Sequence, residues 1–440
     1  NTESLYDELH DRHIKSNFVG YDTLENESQI VFISVNGRKA QSADTGDECE
    51  IILDTTPFYA ESGGQVGDTG DITNDNCQIE VLNTHKPHAN LIAHTCKVSG
   101  GTIKIGDKVN ARVNMNERSK VRAAHTATHL LHAELRNAVG KHVKQAGSKV
   151  EPGHLRFDFT HYEGIDPEVL VEVERKVNQI IRECVQVNTT ITTVEEAQAD
   201  GAMALFDEKY GDKVRMVAVP GYSKELCGGT HVTNTGQIGL CKILSESALA
   251  AGVRRIEAFV GEDAMLYLNK MENSVKCLAA SLKCPVNEVE EAVSKTVGSL
   301  KNYEKENSVL KRQLAGIKAK SLVENAVTAG EFKIIVSSLD GLSDEDLRGA
   351  CDILVERLKS GVVMLSSKLD EKIVFAGKAS EDAVKAGVHI GKLIGEIAKL
   401  CGGGGGGKPN MAMAGGKNPE AVPGALQKAE TVLVNLLTKK

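Results

Sequence analysis

The chain has 440 residues, 41% of them apolar and 25% charged, with a net charge of −8. That length allows two or three domains with their own cores and the composition excludes wholesale disorder, while the acidic balance, the 4% aromatic content and the absence of Trp exclude a globally basic or stacking-platform nucleic-acid binder. Ten scattered cysteines without a C-x-x-C pair, and no apolar run near the ~18–20 residues of a membrane helix, point to a reduced, cytosolic protein without a membrane partner; the start at Asn1 rather than Met leads us to expect a piece of a longer protein.

From Gln29 to about Val113 short alternating segments dominate, among them Ile30–Val35, Cys49–Leu53, Cys77–Leu82 and Leu91–Val98. Gly and Asn/Asp clusters separate them, so 1–115 is expected as a small β-barrel or sandwich. A helix is predicted over Asn116–Val139, then a strand around Leu155–Phe159 and a helix opened by Asp166-Pro167 and ending near Glu183. A strand at Val185–Val194, a helix at Glu195–Leu205 and a strand at Val214–Val219 complete an α+β layer over 116–261.

Past Glu262 the strand signal stops and long helices follow to about 328. Asn287 with Glu290 reads as a cap pair. Val289, Val293, Thr296, Leu300, Tyr303, Asn307, Leu310, Leu314 and Ile317 then recur at alternating steps of four and three, a heptad seam with polar breaks. A coiled coil between two chains and a helix docked on a neighbouring domain both fit it. The last unit, 329–440, reads as βαββα. Its strands are Phe332–Leu339, Val362–Ser366 and Lys372–Ala376, its helices Asp344–Lys359, Glu381–Leu400 and Pro419–Leu437, and a glycine-rich loop follows Cys401. The overall expectation is an α+β multidomain chain.

Chemistry concentrates in two short segments. In RAAHTATHLLH, His125 and His129 lie one helical turn apart on one face of an otherwise apolar helix. In LCGGTHV, Cys227 and His231 are also four apart, with Gly228-Gly229 permitting a tight turn between them. Three imidazoles and a thiolate are a donor set suited to one tetrahedral zinc ion. His132, three residues after His129, is either a replacement ligand or a solvated surface imidazole. A zinc protease needs H-E-x-x-H, but Thr126 follows His125; the H-x-E and P-C-x-x-C pair of zinc deaminases is also absent.

HTATHLLH, followed about a hundred residues later by CGGTH and preceded by FYAESGGQVGDTG (Phe58–Gly70), resembles the editing domain of the alanyl-tRNA synthetase family. The glycine-rich segment after Cys401 is similar to that family's C-terminal domain, shared in outline with a phosphodiesterase-associated RNA-binding module. The resemblance runs from about Tyr21 to the end. It implies a piece without the family's class II aminoacylation domain, and the sequence has neither a Walker A loop nor a G-x-G-x-x-G after a strand.

The implied activity is hydrolysis of the ester joining serine or glycine to the 3′ end of alanine tRNA. An apolar pocket rejects an added hydroxyl only ~100-fold, so a second site that demands the hydroxyl sharpens the choice. Within the Glu61–Asp68 loop, Glu61, Gly63, Gly64 and Gln65 are the expected substrate-binding residues, with Ser62 beside them, while Asp68-Thr69-Gly70 reads as a hairpin turn. Four protein ligands make a closed structural site, so either Cys227 or His231 gives way to water or substrate, or the zinc only shapes the pocket. Gln145, in KHVKQAGSK, is placed by the resemblance near the site as a water- or substrate-positioning group.

Expected partners are tRNA(Ala), the parent protein's aminoacylation domain and a second copy of the chain. Arg118, Lys120, Arg122, Arg136, Lys141, Lys144, Lys149 and Arg156 form a basic group around the metal helix. In the last unit Gly405, Gly406, Gly407, Lys408 and Lys417, with the terminal Lys439-Lys440, are expected to face RNA. Two further readings stay open: a non-catalytic tRNA-binding module with structural zinc, and a free-standing trans-editing protein.

Overall fold

Six antiparallel strands close into a barrel at the N-terminal side of the molecule. They are β1 (Glu25–Val35), β2 (Glu48–Leu53), β3 (Gly70–Asn74), β4 (Cys77–His88), β5 (Leu91–Lys104) and β6 (Lys108–Val113), in the order β6-β3-β4-β5-β2-β1 with β1 returning to β6. The computed structural model describes residues 6, 9, 14–88, 90–203, 213–369 and 372–438. Alternation decides the barrel: along β4, Cys77, Ile79 and Val81 turn inward while Gln78, Glu80 and Leu82 face out. Closure leaves no free edge, which selects the barrel over the sandwich.

Helix α1 (Met115–Ala138) leaves the barrel directly. The Asn114 side chain accepts from the amides of Asn116 and Glu117 and caps it. Small and apolar side chains make the helix buried almost all round from Ala123 to Leu135. It packs with α2 (Pro167–Arg182) against an antiparallel sheet of β7 (Gln145–Glu151), β8 (His154–Thr160), β13 (Val253–Val260) and β12 (Cys241–Ala250). A smaller sheet of β9 (Asn188–Thr192), β10 (Val214–Val219) and β11 (Ser223–Leu226) carries the Cys227 loop at its end. Helix α3 is Val194–Ala199, shorter than expected; Leu205 lies outside the described residues.

The chain divides into two compact units, Asn1–Cys277 and Leu278–Lys440. Barrel and metal-helix region both lie in the first unit. The boundary falls within helix α4 (Glu262–Leu282), and α5 (Val289–Glu324) lies in the second unit. The expected Asn287 cap is not made: Val286–Glu288 form a 3-10 turn, and neither it nor α5 has a side-chain cap. Seam residues Leu300, Tyr303, Leu310, Leu314 and Ile317 are exposed.

The second unit is more than βαββα. Its six-stranded sheet runs β14 (Val327–Ala329), β15 (Phe332–Ser338), β16 (Gly361–Leu369), β17 (Lys372–Ala379), β19 (Met411–Gly416), β18 (Gly404–Gly407). Strands β15 and β16 are parallel, joined by α6 (Asp344–Leu358); the other pairs are antiparallel. The expected helix Glu381–Leu400 is two helices, α7 (Glu381–Lys385) and α8 (Ile390–Leu400), because His389 Nδ1 accepts from the Lys392 amide and starts a new helix. Helix α9 (Val422–Thr438) ends the described chain.

The glycine run is a strand, not a loop. Gly404–Gly407 pair with Met411–Gly416 and lie against α8. A Cβ on Gly391 of α8 would come within 2.1 Å of the Gly407 carbonyl oxygen, so helix and edge strand meet where side chains have no room. Gly405, Gly406 and Gly407 stay exposed on the other side, with Lys408 and Lys417 flanking them. Lys439-Lys440 lie outside the described residues. No described helix is long and apolar enough to cross a membrane, and no described cysteine is in a disulfide.

Candidate metal centre

The two histidines of α1 and the two ligands of the Cys227 loop converge. One ligand atom from each of His125, His129, Cys227 and His231 lies within 4.8 Å of every other. Cys227 Sγ is 3.4 Å from His125 Nε2 and 3.3 Å from His231 Nε2. A tetrahedron with zinc–nitrogen bonds of ~2.0–2.1 Å and a zinc–sulfur bond of ~2.3 Å has nitrogen–sulfur edges of about 3.5 Å. The donor set and its spacing both fit zinc.

The far sides of the rings support the same fit. His125 Nδ1 donates to Gln65 Oε1 at 2.8 Å, His231 Nδ1 faces Thr126 Oγ1 at 3.1 Å, and His129 Nδ1 faces Glu225 Oε2 at 3.3 Å. Each Nδ1 thus has an outer partner, leaving Nε2 for a metal. Burial, with the neighbouring histidines and Arg215 adding to it, holds His125 and His231 well below the usual imidazole range. Burial also lowers His129, although Glu225 opposes it. Neutral rings are the metal-binding form.

Gln65 is fully buried and holds both segments. Its Oε1 also accepts from the Thr230 amide at 2.8 Å, and its Nε2 donates to Thr230 Oγ1 at 2.9 Å. Its side chain is spent on His125 and the Cys227 loop rather than turned into the cavity. Gly229 has to be glycine: an added Cβ would sit 2.0 Å from His125 Cε1 and 2.9 Å from Gln65 Oε1. Arg215 clamps the loop from outside, donating to the carbonyls of Cys227 and Gly229 with its guanidinium over the Tyr21 ring. Tyr21 in turn donates to the Gly228 carbonyl.

A cavity of about 70 Å³ opens beside His125, His129 and Cys227. It is large enough to hold a few water-sized groups. His125, His129, Cys227, Gly228 and Gly229 form one side; Tyr59, Ser62, Gly63, Thr128, Gln145 and Ser148 form much of the rest. Gln145 and Gly63 therefore line this cavity. Gly64 carries the wall, its carbonyl accepting from the Val150 amide at 2.7 Å, and Glu61 is exposed at the loop's start.

Two expectations fail for a shared reason, burial. Arg118 is fully enclosed, not a surface cation: it pairs with Asp68 and donates to the carbonyls of Gly20 and Pro57, tying α1 to barrel loops. Asp68 is accordingly an ion-pair partner rather than a turn residue, the turn falling at Gly63-Gly64 and Gly70 opening β3, and it accepts from the Tyr59 amide at 2.6 Å. His132 is neither ligand nor surface group: it is buried, with Nδ1 3.0 Å from Glu225 Oε1. Arg122 is half-buried one turn before Thr126, and Lys144 is exposed at the start of β7. Sequence reading missed Glu225, Thr126, Thr230, Tyr21 and Arg215. Glu225 and Thr230 flank the ligands within ELCGGTH and Thr126 follows His125, so proximity to the motif was the available signal.

Three sequence-family models match. "Threonyl and Alanyl tRNA synthetase second additional domain" covers residues 214–257, "DHHA1 domain" 331–435, and "tRNA synthetases class II (A)" 1–117. Among curated relatives, the alanine–tRNA ligase of Alkaliphilus oremlandii is 46% identical over 429 residues, 98% of this chain and 49% of its own. That of Clostridioides difficile is 42% identical over 420 residues, 96% of this chain and 48% of its own. The chain spans about half the length of the curated relatives it matches. Among solved structures, the C-Ala domain of Aquifex aeolicus alanyl-tRNA synthetase is 30% identical, covering 26% of this chain and 97% of that one, with a TM-score of 0.23.

Proposed function

We propose, from the premise that the chain belongs to the alanyl-tRNA synthetase family as its C-terminal part, that its first unit hydrolyses Ser-tRNA(Ala) and Gly-tRNA(Ala). The observation that carries the proposal is the convergence of His125, His129, Cys227 and His231 on one another, with His125, His129 and Cys227 lining a cavity of about 70 Å³. These four residues would hold one zinc ion. Bound zinc supplies Lewis acidity and an anchor for a nitrogen or oxygen of the substrate.

The protein's own groups do the rest. The small cavity beside the ligands takes the side chain of a small amino acid. Gln145 and the polar wall around Ser62, Thr128 and Ser148 orient the amino acid and an attacking water. Water adds to the ester carbonyl, the bond to the terminal ribose oxygen breaks, and free amino acid and tRNA result. Cys227 acts either as a permanent ligand or as the one that yields to substrate. Gln65 and Gly64 act by fixing the ligands and the wall, and Glu61 contacts substrate only at the rim. Arg122 and Lys144, with Gly405–Gly407, Lys408 and Lys417 of the second unit, supply RNA contacts. The exposed seam of α5 is available for a second copy, the parent's aminoacylation domain is the covalent partner, and the setting is cytoplasmic.

The test is loss of ester from Ser-tRNA(Ala), measured with metal content on the same protein. Deacylation that disappears in Cys227→Ala and His125→Ala together with bound zinc supports the hydrolase. An ester half-life unchanged by the metal-loaded chain leaves only a tRNA-binding module with structural zinc.

A further inference from the structure

A second cleft, wholly within the C-terminal unit, has no part in the proposed deacylation. It lies at the carboxyl ends of the parallel strands β15 and β16 and has a volume of about 320 Å³, within the usual range for small-molecule sites. Helix α6 packs on one face of this strand pair and α9 on the other. In open α/β sheets ligands sit in the crevice outside the carboxyl ends of such strands.

The walls are of two kinds. One is apolar and made by Ile373 with Pro419, Val422, Pro423 and Leu426, the approach to α9 and its first turns. The other is polar. Ser338 and Ser366 stand opposite each other in the register of β15 and β16. Ser338 Oγ donates to Asp340 Oδ1 at 2.7 Å, and the Lys368 amide donates to the same oxygen at 3.0 Å, so the carboxylate is held at the rim. Lys368 stands beside it, exposed. Ser366 is 1% exposed, lines the cleft, and its hydroxyl has no hydrogen-bond partner. An orphaned buried hydroxyl is rare in a finished core and calls for a partner.

We infer that this cleft binds a ribonucleoside monophosphate. A flat heterocycle matches the Ile373–Val422–Pro423–Leu426 wall and offers its polar edge to Ser366. A carboxylate fixed by two donors is the usual partner of a ribose diol, and Lys368 at the mouth suits the phosphate. One carboxylate and one lysine are too few ligands for a hard cation, and the polar wall does not suit an acyl chain. The same chemistry is presented by a free nucleotide and by an unstacked nucleotide of a bound RNA. The inference stands on the second unit alone and does not depend on the deacylase reading.

Equilibrium dialysis of the full chain against labelled AMP, GMP, CMP and UMP tests it. Saturable binding of at least one is expected, weakened roughly tenfold for the matching 2′-deoxynucleotide, which lacks the hydroxyl that would donate to the rim carboxylate. Asp340→Asn should weaken binding similarly. Ser366→Ala should weaken it while leaving the thermal midpoint of the chain unchanged or raised, since the hydroxyl it deletes has no partner in the fold. Displacement of the nucleotide by tRNA assigns the site to an RNA nucleotide; simultaneous binding assigns it to a free one. Absence of saturable binding up to millimolar nucleotide, or inorganic phosphate binding as tightly as the nucleotides, overturns the inference.

Discussion

Replacing Gln65 by Met keeps most of the volume of a fully buried side chain and removes its three hydrogen bonds. The Nδ1–H of His125 and the amide of Thr230 are then buried without acceptors. Each such orphan costs about 1–3 kcal/mol, so the pair costs the first unit roughly 2–6 kcal/mol before relaxation. The two losses act on different things. The Thr230 amide belongs to the folded loop whether or not metal is bound. The His125 bond sets the direction of a metal-facing Nε2, and removing such an outer partner typically weakens metal by about 10–100-fold. Competition titration with a chromophoric zinc chelator reads the second loss separately from urea unfolding, which reads both. Gln65→Glu keeps an acceptor toward His125 and the Thr230 amide, so it should hold zinc within a few fold of the parent protein. Zinc affinity in Gln65→Met equal to the parent's would refute the assignment of Gln65 as the residue that orients His125.

Arg118→Met strands the Asp68 carboxylate and two carbonyls inside the protein; breaking a buried pair in this way costs about 3–5 kcal/mol. The double change Arg118→Met, Asp68→Leu should recover part of that in the urea midpoint, and no recovery would remove the ion pair as the cause. A pH effect is expected from His94, which donates from Nδ1 to the Ile51 carbonyl and accepts at Nε2 from Thr56. Burial, against the Ile51 hydrogen bond, pulls it down to about 4. Between pH ~6.5 and ~4 the unfolded chain takes up a proton that the barrel refuses, so stability is complete above pH 7 and falls by up to about 3 kcal/mol on acidification. Hydrogen exchange of barrel amides in His94→Met should lose that slope; an unchanged slope would mean other groups carry it.

The amino-acid sequence by itself determined the candidate ligand set, because a metal site needs particular donor atoms and those atoms are visible as letters. His125 and His129 share a helix face by arithmetic, and Cys227 and His231 are spaced by the turn between them. It also determined the barrel strands and α1, where alternation and a polar cap are local properties. Tertiary structure alone decided what surrounds the ligands. Gln65, Glu225 and Thr126 are polar residues of no special pattern until folding sets each against the Nδ1 of a different histidine. Arg118 and Lys144 look alike in sequence, yet one is sealed against Asp68 and the other is solvated, because charge is a property of the residue and burial of the whole fold. The glycine run is the same lesson in reverse. Its composition reads as a flexible loop, but four of its six glycines, Gly404–Gly407, pair with Met411–Gly416, and a Cβ on Gly391 of α8 would meet the Gly407 carbonyl, contacts that no local pattern shows.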